Sequence, residues 1–280
     1  PLMLVDFISA LVSGWPPGIR VLVIAGFVSL LIGLRYGLIT ALGFGIGQLV
    51  GKFAPHRRLQ SRPFTGAQIW REITDSIISV LVFTGVIGVI ILLNRAGFTK
   101  LYEDPEAYGQ LWFWLQIPLA LLIQDFYFYW MHRAIHAPAF YDRVHRTHHL
   151  STNPSAFAAF AFHPLEAVLE AGIFIVIVMV MPMTLSALIL VGLFSLLYNV
   201  YGHLGYEIMP RALAKSPLGY ILNTSAYHNQ HHRTFRYNYG LYTVIWDRLF
   251  GTLHPHAERL YDQKTQRTRA VVPVAETKEN

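Results

Sequence analysis

Apolar runs close to twenty residues long set the first constraint on this chain. A bilayer core about 30 Å thick needs roughly 20 apolar residues per helix, and four stretches approach that length: 76–93, 111–130 with Pro118 inside it, 166–181 and 184–201. The last two are separated only by Pro182 and Met183, the spacing of a tight helical hairpin. A fifth stretch, 19–50, carries Arg35 at its middle and reads either as one long tilted helix or as two short segments meeting there. Of the 280 residues 54% are hydrophobic and 14% charged, and the mean hydropathy is +0.39, which does not fit a water-facing surface. The expectation is an all-α integral membrane protein of four or five transmembrane helices under a helical cap.

Charge gives the expected orientation. The 52–71 loop carries Lys52, Arg57, Arg58, Arg62 and Arg71, the 132–164 segment carries Arg133, Arg143 and Arg146, and the chain from Arg211 onward is basic and polar. The 94–110 loop instead holds Glu103, Asp104 and Glu106. By the positive-inside rule the three basic regions lie in the cytoplasm. A net charge of +6 in short clusters beside apolar runs suits anionic headgroups, and nucleic acid is not an expected partner. Residues 1–18 read as an interfacial lead-in. They open on Pro1 rather than Met, which points to a trimmed start, and residues 1–13 lack the basic region and cleavage site of a signal peptide. The organisation expected is membrane helices over 1–110, a catalytic segment over 111–260 that includes the 166–201 hairpin, and a polar mobile tail over 261–280.

With no cysteine, any metal must be held by nitrogen and oxygen. Ten of the thirteen histidines lie between His132 and His232. His132 and His136 are spaced i, i+4 and can chelate one ion. His145, His148 and His149 repeat the pattern of His228, His231 and His232, HxxHH. In that pattern the i and i+3 or i+4 residues share a face while the adjacent pair diverges by about 100°, so one box can serve two neighbouring metals. His163 and His203 sit at membrane-proximal helix ends on the same side and complete a set of ten. The isolated His56, His254 and His256 read as surface residues. Asp125 lies seven residues before His132 and eleven before His136, on the same helical face, and an intramembrane carboxylate requires a partner. It is expected to orient a ligand histidine, with Glu166 and Glu207 weaker candidates for the same task. The aromatic stretch Phe126 to Trp130 reads as an interface belt, Phe157, Phe160 and Phe162 as candidates to line a substrate entrance, and Asp247 with Arg248 as an ion pair.

These residues resemble the sterol desaturase and fatty acid hydroxylase superfamily of integral-membrane di-metal oxygenases, with a pattern that looks closest to sterol C4-methyl oxidases. The likeness rests on the segment from Asp125 through His132 to His136, on Val144 to His149, Phe162 to Glu166, His203 to Glu207 and His228 to His232, and on Trp246 to Thr252. It covers about half the chain. The resemblance implies two iron ions on the ten histidines, although imidazole also suits zinc, which can occupy such a site in purified protein. It further implies O₂-dependent hydroxylation of a sterol, fatty acyl or related membrane lipid. Desaturation is the alternative, and a zinc hydrolase or a metal transporter is less favoured. Arg133 stands where an HExxH hydrolase would carry its general-base Glu, and transporter ligands belong near the bilayer midplane. Gly43, Gly45 and Gly47 lie in an apolar span without a preceding strand, so they read as helix-packing glycines rather than a dinucleotide loop. Electrons must then come from a separate donor, implied to be cytochrome b5-like, a ferredoxin or a rubredoxin with its reductase, and Arg143, Arg146, Arg233 and Arg236 are the candidate docking cations.

Overall fold

The computed structural model describes residues 8–214 and 216–266. The start of the lead-in, residues 1–7, and the end of the polar tail, residues 267–280, lie outside the described residues. The long helices are α1 (Pro17–Phe53), α2 (Gly66–Arg95) and α3 (Gly109–Ile135). Two short ones follow, α4 (Pro138–Val144) and α5 (Arg146–His149). The hairpin is α6 (Pro164–Val180) and α7 (Leu185–Gly202), and beyond it come α8 (Ser225–Thr234), α9 (Ile245–Leu249) and α10 (Ala257–Thr265). Helices α1, α2, α3 and α7 are long and apolar enough to cross a membrane. Helix α6, 17 residues and so about 26 Å long, packs beside them.

The stretch around Arg35 resolves as a single helix. Its 37 residues span about 55 Å, and Arg35 is half-buried on it. Local chemistry sets the helix starts. Thr65 Oγ1 accepts the Gln68 N–H at 3.2 Å, Thr184 Oγ1 accepts the Ala187 N–H at 3.2 Å, and Pro17 and Pro164 occupy first-turn positions where the missing N–H costs nothing.

Because the chain reverses at each connection, the end of α1, the start of α2, the ends of α3 and α7 and the start of α6 meet at one end of the bundle. The polar segments between them build the cap there. At the opposite end lies a small parallel pairing with no local signature, β1 (Leu101–Tyr102) with β2 (Met183–Thr184), which ties the α2–α3 connection to the hairpin turn. Trp112 Nε1 donates to Pro182 O at 3.1 Å, and the Thr184 N–H donates to Gln116 Oε1 at 2.8 Å, which closes that end.

One core cluster joins α1, α2 and α7 through a 3₁₀ turn at Ala156–Phe160, with Ile32, Tyr36, Phe160, Leu196 and Val200 inside it. Phe160 stacks on Tyr36 at 5.1 Å and meets Phe83 edge-on at 4.9 Å, while Phe157 packs on Phe44 at 5.6 Å. Phe160 is therefore a core residue and Phe157 is half-buried against α1, so both pack inward, which corrects their reading as a substrate entrance. The polar tail also begins later than expected, since residues 261–265 are helical in α10 and the buried Tyr261 donates from its hydroxyl to Pro210 O at 3.1 Å.

Glycines let α1 lie against the end of α7. A Cβ on Gly43 would stand 2.5 Å from Val200 Cγ1, and one on Gly47 would stand 3.3 Å from Leu204 O, whereas one on Gly45 would meet nothing within 4 Å. Gly43→Ala is therefore expected to cost on the order of 1–3 kcal/mol through overpacking against a stiff β-branched side chain. Gly45→Ala is expected to cost nothing. Thermal denaturation of the two variants in the same detergent checks this, and equal midpoints would overturn the packing role of Gly43.

Candidate metal centre

Nine of the ten expected histidines converge where the helix ends meet the cap. His132 and His136 come from the last turn of α3, with His136 as its C-cap. His145, His148 and His149 come from α5 and its cap. His203 is the C-cap of α7, and His228, His231 and His232 ride on α8. They form two groups. One ring nitrogen from each of His132, His136, His145, His149 and His231 lies within 4.8 Å of the others, and the same holds for His148, His203, His228 and His232. The groups are neighbours: the rings of His149 and His232 are 4.8 Å apart, and those of His145 and His148 are 5.5 Å apart.

The HxxHH boxes divide more sharply than the sequence predicted. His145 and His149 join one group while His148 joins the other, and His228 and His232 join one while His231 joins the other. Helical geometry explains the split. Residues at i and i+4 differ by about 40° and the i+3 residue lies about 60° to the opposite side, so the i+4 pair can converge while i+3 turns toward the second group.

Hydrogen bonds fix where the protons sit. Nδ1–H donates to a backbone carbonyl from His132 (Tyr239 O, 2.9 Å), His148 (Ala161 O, 3.3 Å), His203 (Asn199 O, 2.7 Å), His231 (Tyr237 O, 2.6 Å) and His232 (Ser151 O, 3.1 Å). A carbonyl can only accept, so each of these rings holds its proton on Nδ1 and bears a bare lone pair on Nε2. His145 Nδ1 faces Glu166 Oε1 at 2.7 Å with the same result. Yet the Nε2 atoms face one another: His132 to His145 at 3.1 Å, His231 to His149 at 3.1 Å, His228 to His203 at 3.1 Å and His203 to His148 at 3.4 Å. In the His132–His145 and His203–His148 pairs, one in each group, both lone pairs are bare with no proton between them, which suits a cation at the centre of each group. Burial reinforces this, pushing His145, His148, His149, His228, His231 and His232 well below the ordinary imidazole range and His203 down to about 4. The rings are therefore neutral at pH 7, as metal ligands must be.

His163 stands apart from both groups. It is the N-cap of α6, and its Nδ1 accepts the Leu165 N–H at 3.3 Å, so the ring folds back on its own helix. The carboxylates also divide. Glu166 reaches His145 as expected, and its other oxygen is buried with no partner among the described residues. Asp125 reaches no histidine. It accepts from Tyr242 N (2.7 Å), Thr243 N (3.2 Å), Thr243 Oγ1 (2.6 Å) and Trp246 Nε1 (2.9 Å), pinning the 242–246 segment to α3. Glu207 likewise touches no ring but accepts the Ala226 N–H at 3.0 Å in the first turn of α8, the Met209 N–H at 2.9 Å and the Tyr201 hydroxyl at 2.9 Å.

Asp247 does not pair with Arg248, whose guanidinium goes to Glu258 at 2.6 Å and lies over the Tyr220 ring. Its carboxylate takes the Tyr239 N–H at 2.8 Å and the Gly240 N–H at 2.9 Å, and so holds the carbonyl that receives His132. Glu72 was not anticipated at all. It is fully buried and accepts from Gln68 Nε2 and Ser151 Oγ, both at 2.7 Å, and from Ser155 Oγ. It thereby fixes Ser151, whose carbonyl receives His232. A Glu nearly two turns inside α2, at the edge of its apolar run and with Ser76 four residues on, was the available signal.

Aromatic rings enclose the centre. Phe128 lies 4.9 Å from His132, Tyr239 5.2 Å from His136, Phe235 4.7 Å from His149 and Phe162 5.1 Å from His148. The expected belt is one-sided: Phe126 and Trp130 are exposed, whereas Phe128 and Tyr129 are buried.

Comparison with known proteins agrees with this geometry. The family model described as fatty acid hydroxylase matches residues 117–252. The Delta(7)-sterol 5(6)-desaturase erg3A of Aspergillus fumigatus is 34% identical over 211 residues, covering 74% of this chain and 57% of the relative. The lathosterol oxidase of Mus musculus is 31% identical over 205 residues, 71% of this chain and 66% of the relative, and that of Homo sapiens is 30% identical over 203 residues, 70% and 65%. The chain thus spans less than two thirds of the length of these relatives. Their names are those of sterol 5(6)-desaturases and lathosterol oxidases, whereas the sequence pattern had looked closest to sterol C4-methyl oxidases. No solved structure matches. The matched segment contains all ten histidines from His132 to His232, and with these relatives it makes the chain a member of the sterol desaturase and fatty acid hydroxylase superfamily.

Proposed function

We propose that the chain is an O₂-dependent oxidase of a membrane lipid, with one iron ion in each histidine group. The observation that carries this reading is the convergence of nine imidazole nitrogens, six of them left bare by the Nδ1 hydrogen bonds, in two adjoining groups at one end of four apolar helices. Such a pair of irons, when bound, would supply the oxidising power for attack on an unactivated C–H bond with O₂ and two external electrons. The chain's own residues do the rest. Glu166 and the carbonyls of Tyr239, Tyr237, Ser151, Ala161 and Asn199 hold the rings in the tautomer that presents Nε2. Phe128, Tyr239, Phe235 and Phe162 keep water from the centre. The position of the centre at the helix ends lets an apolar substrate reach it sideways from the bilayer.

Two outcomes share this beginning. Hydroxylation consumes O₂, two electrons and two protons to give an alcohol and one water. Desaturation consumes the same reagents, removes two hydrogens from neighbouring carbons and gives two waters. The names of the relatives favour desaturation of a sterol or similar lipid. The basic loops support a centre on the cytoplasmic side, with electrons from a cytochrome b5-like protein, a ferredoxin or a rubredoxin and its reductase. Arg143, Arg146 and Arg236 are exposed around the cap and can meet an acidic donor.

Elemental analysis of protein purified from iron-supplemented cells is expected to give about two transition-metal ions per chain. His231→Ala and His148→Ala, one from each group, should each abolish turnover while the spans stay inserted. A stoichiometry of one or less in the unmodified chain sinks the two-ion reading.

Glu166→Ala should lower metal affinity or activity about 10- to 100-fold, because it removes the acceptor that orients His145. Asp125→Asn should instead lower thermal stability with metal content retained, since its partners are backbone and side-chain donors of the 242–246 segment. Metal content and melting measured side by side on both variants check this, and metal loss in Asp125→Asn with normal melting would reverse the assignment.

Turnover of a sterol with ¹⁸O₂ and a reductant separates the outcomes. Label in the lipid marks hydroxylation, while loss of two hydrogens without label, with O₂ consumed, marks desaturation. Lipid turnover under strict anaerobiosis without a donor would falsify the oxidase reading altogether.

A further inference from the structure

On the side of α8 away from the histidine groups, a solvent-open cavity of about 390 Å³ lies between α8 and α10. Gln230 and Arg233 line it from the last turns of α8, and His256, Arg259 and Gln263 from α10, with His254 between the two walls. The spacing of 256, 259 and 263 places those side chains on one face of α10, whereas Glu258 points away from it and Asp262, at the edge of that face, neither lines the cavity nor forms an ion pair with Arg259. Glu258 is moreover occupied by Arg248 at 2.6 Å. No carboxylate lines the cavity among the described residues. Two guanidinium groups therefore share one concavity with amide and imidazole donors and without a neutralising partner. His254 is fixed in orientation: its Nδ1 accepts the Gln230 Nε2–H at 2.8 Å and the His256 N–H at 3.1 Å, which leaves the ring proton on Nε2.

We propose that this cavity is a phosphate-binding site. Donors reach it from two facing helices and from His254 between them, which suits a tetrahedral oxyanion approached from several sides better than a planar carboxylate held by one fork. Guanidinium groups are the side chains best matched to phosphate oxygens. The volume is larger than one phosphate needs, so the ligand class is a phosphorylated compound with a small polar body, whether a lipid headgroup or a soluble phosphate ester. Nothing in the proposed oxidation requires this site, and its lining residues belong to neither histidine group. Because Arg233 directly follows His232 on α8, occupancy would be read one residue from the metal ligands.

The test is calorimetric titration of the full chain, in phosphatidylcholine nanodiscs, with inorganic pyrophosphate. One saturable site is expected, weakened about tenfold or more by Arg233→Gln and likewise by Arg259→Gln, as befits loss of charged hydrogen bonds. Arg259→Lys should retain part of the affinity, and Arg95→Gln, at the other end of α2, should change nothing. Repeating the titration in nanodiscs that contain phosphatidylinositol bisphosphate identifies the source. Disappearance of the pyrophosphate site there assigns it to a lipid headgroup, and unchanged binding assigns it to a soluble phosphate. Absence of saturable binding, indifference to both arginine variants, or tighter binding of polyglutamate that pyrophosphate does not displace would each overturn the proposal.

Discussion

Lone-pair repulsion is the constraint around which this structure is arranged. Neutral imidazoles placed nitrogen to nitrogen, His132 against His145 at 3.1 Å and His203 against His148 at 3.4 Å, have no proton to share once each Nδ1 is committed to a carbonyl or to Glu166. Such an assembly is unfavourable by itself and becomes favourable only around a cation. The protein must hold it together from outside, and much of the buried polar chemistry does so at one remove. Asp247 grips the loop whose carbonyl receives His132, Glu72 grips Ser151 for His232, and Glu207 caps the first turn of α8 beneath His228. Three carboxylates act through backbone, while Glu166 touches a ring directly. This division places carboxyl acceptors around the supports of the centre without adding oxygen ligands to it.

The bundle supplies the other half of the support. Four apolar helices and the shorter α6 deliver their polar ends to one level, and the β1–β2 pairing closes the far end, so the helices cannot slide independently. The approach of α1 at Gly43 and Gly47 positions the end of α7 and hence His203.

Most of this was legible where the information is local. The apolar runs, the i, i+4 histidines and the HxxHH boxes are periodic patterns, and periodicity is what a helix converts directly into geometry. The failures came where local pattern meets distant chain. Asp125 does share a helix face with His132, but the donors that satisfy it arrive from Tyr242, Thr243 and Trp246, more than a hundred residues on. Glu72 meets Ser151 across a comparable separation. The difference between His163 and His203 was in principle readable. A histidine directly before a proline at a helix start is placed to cap that helix with its own ring, as His163 does, whereas His203 at a helix end leaves its ring free to turn inward. Phe157 and Phe160 looked like entrance residues because they lie between a histidine box and a span. The 3₁₀ turn folds them under α1 and α2 instead.

The split of each HxxHH box has a mechanical corollary. Helix α8 contributes His231 to one group and His228 with His232 to the other, and α5 with its cap divides its three rings the same way. Each short helix is therefore a shared axle: a rotation that tightens one group displaces a ligand of its neighbour. Two ions bound there could not be tuned separately by moving backbone, only by changing what surrounds individual rings. Filling one group would fix the rotation of the helices it shares with the other, and so the positions from which the second group's rings approach.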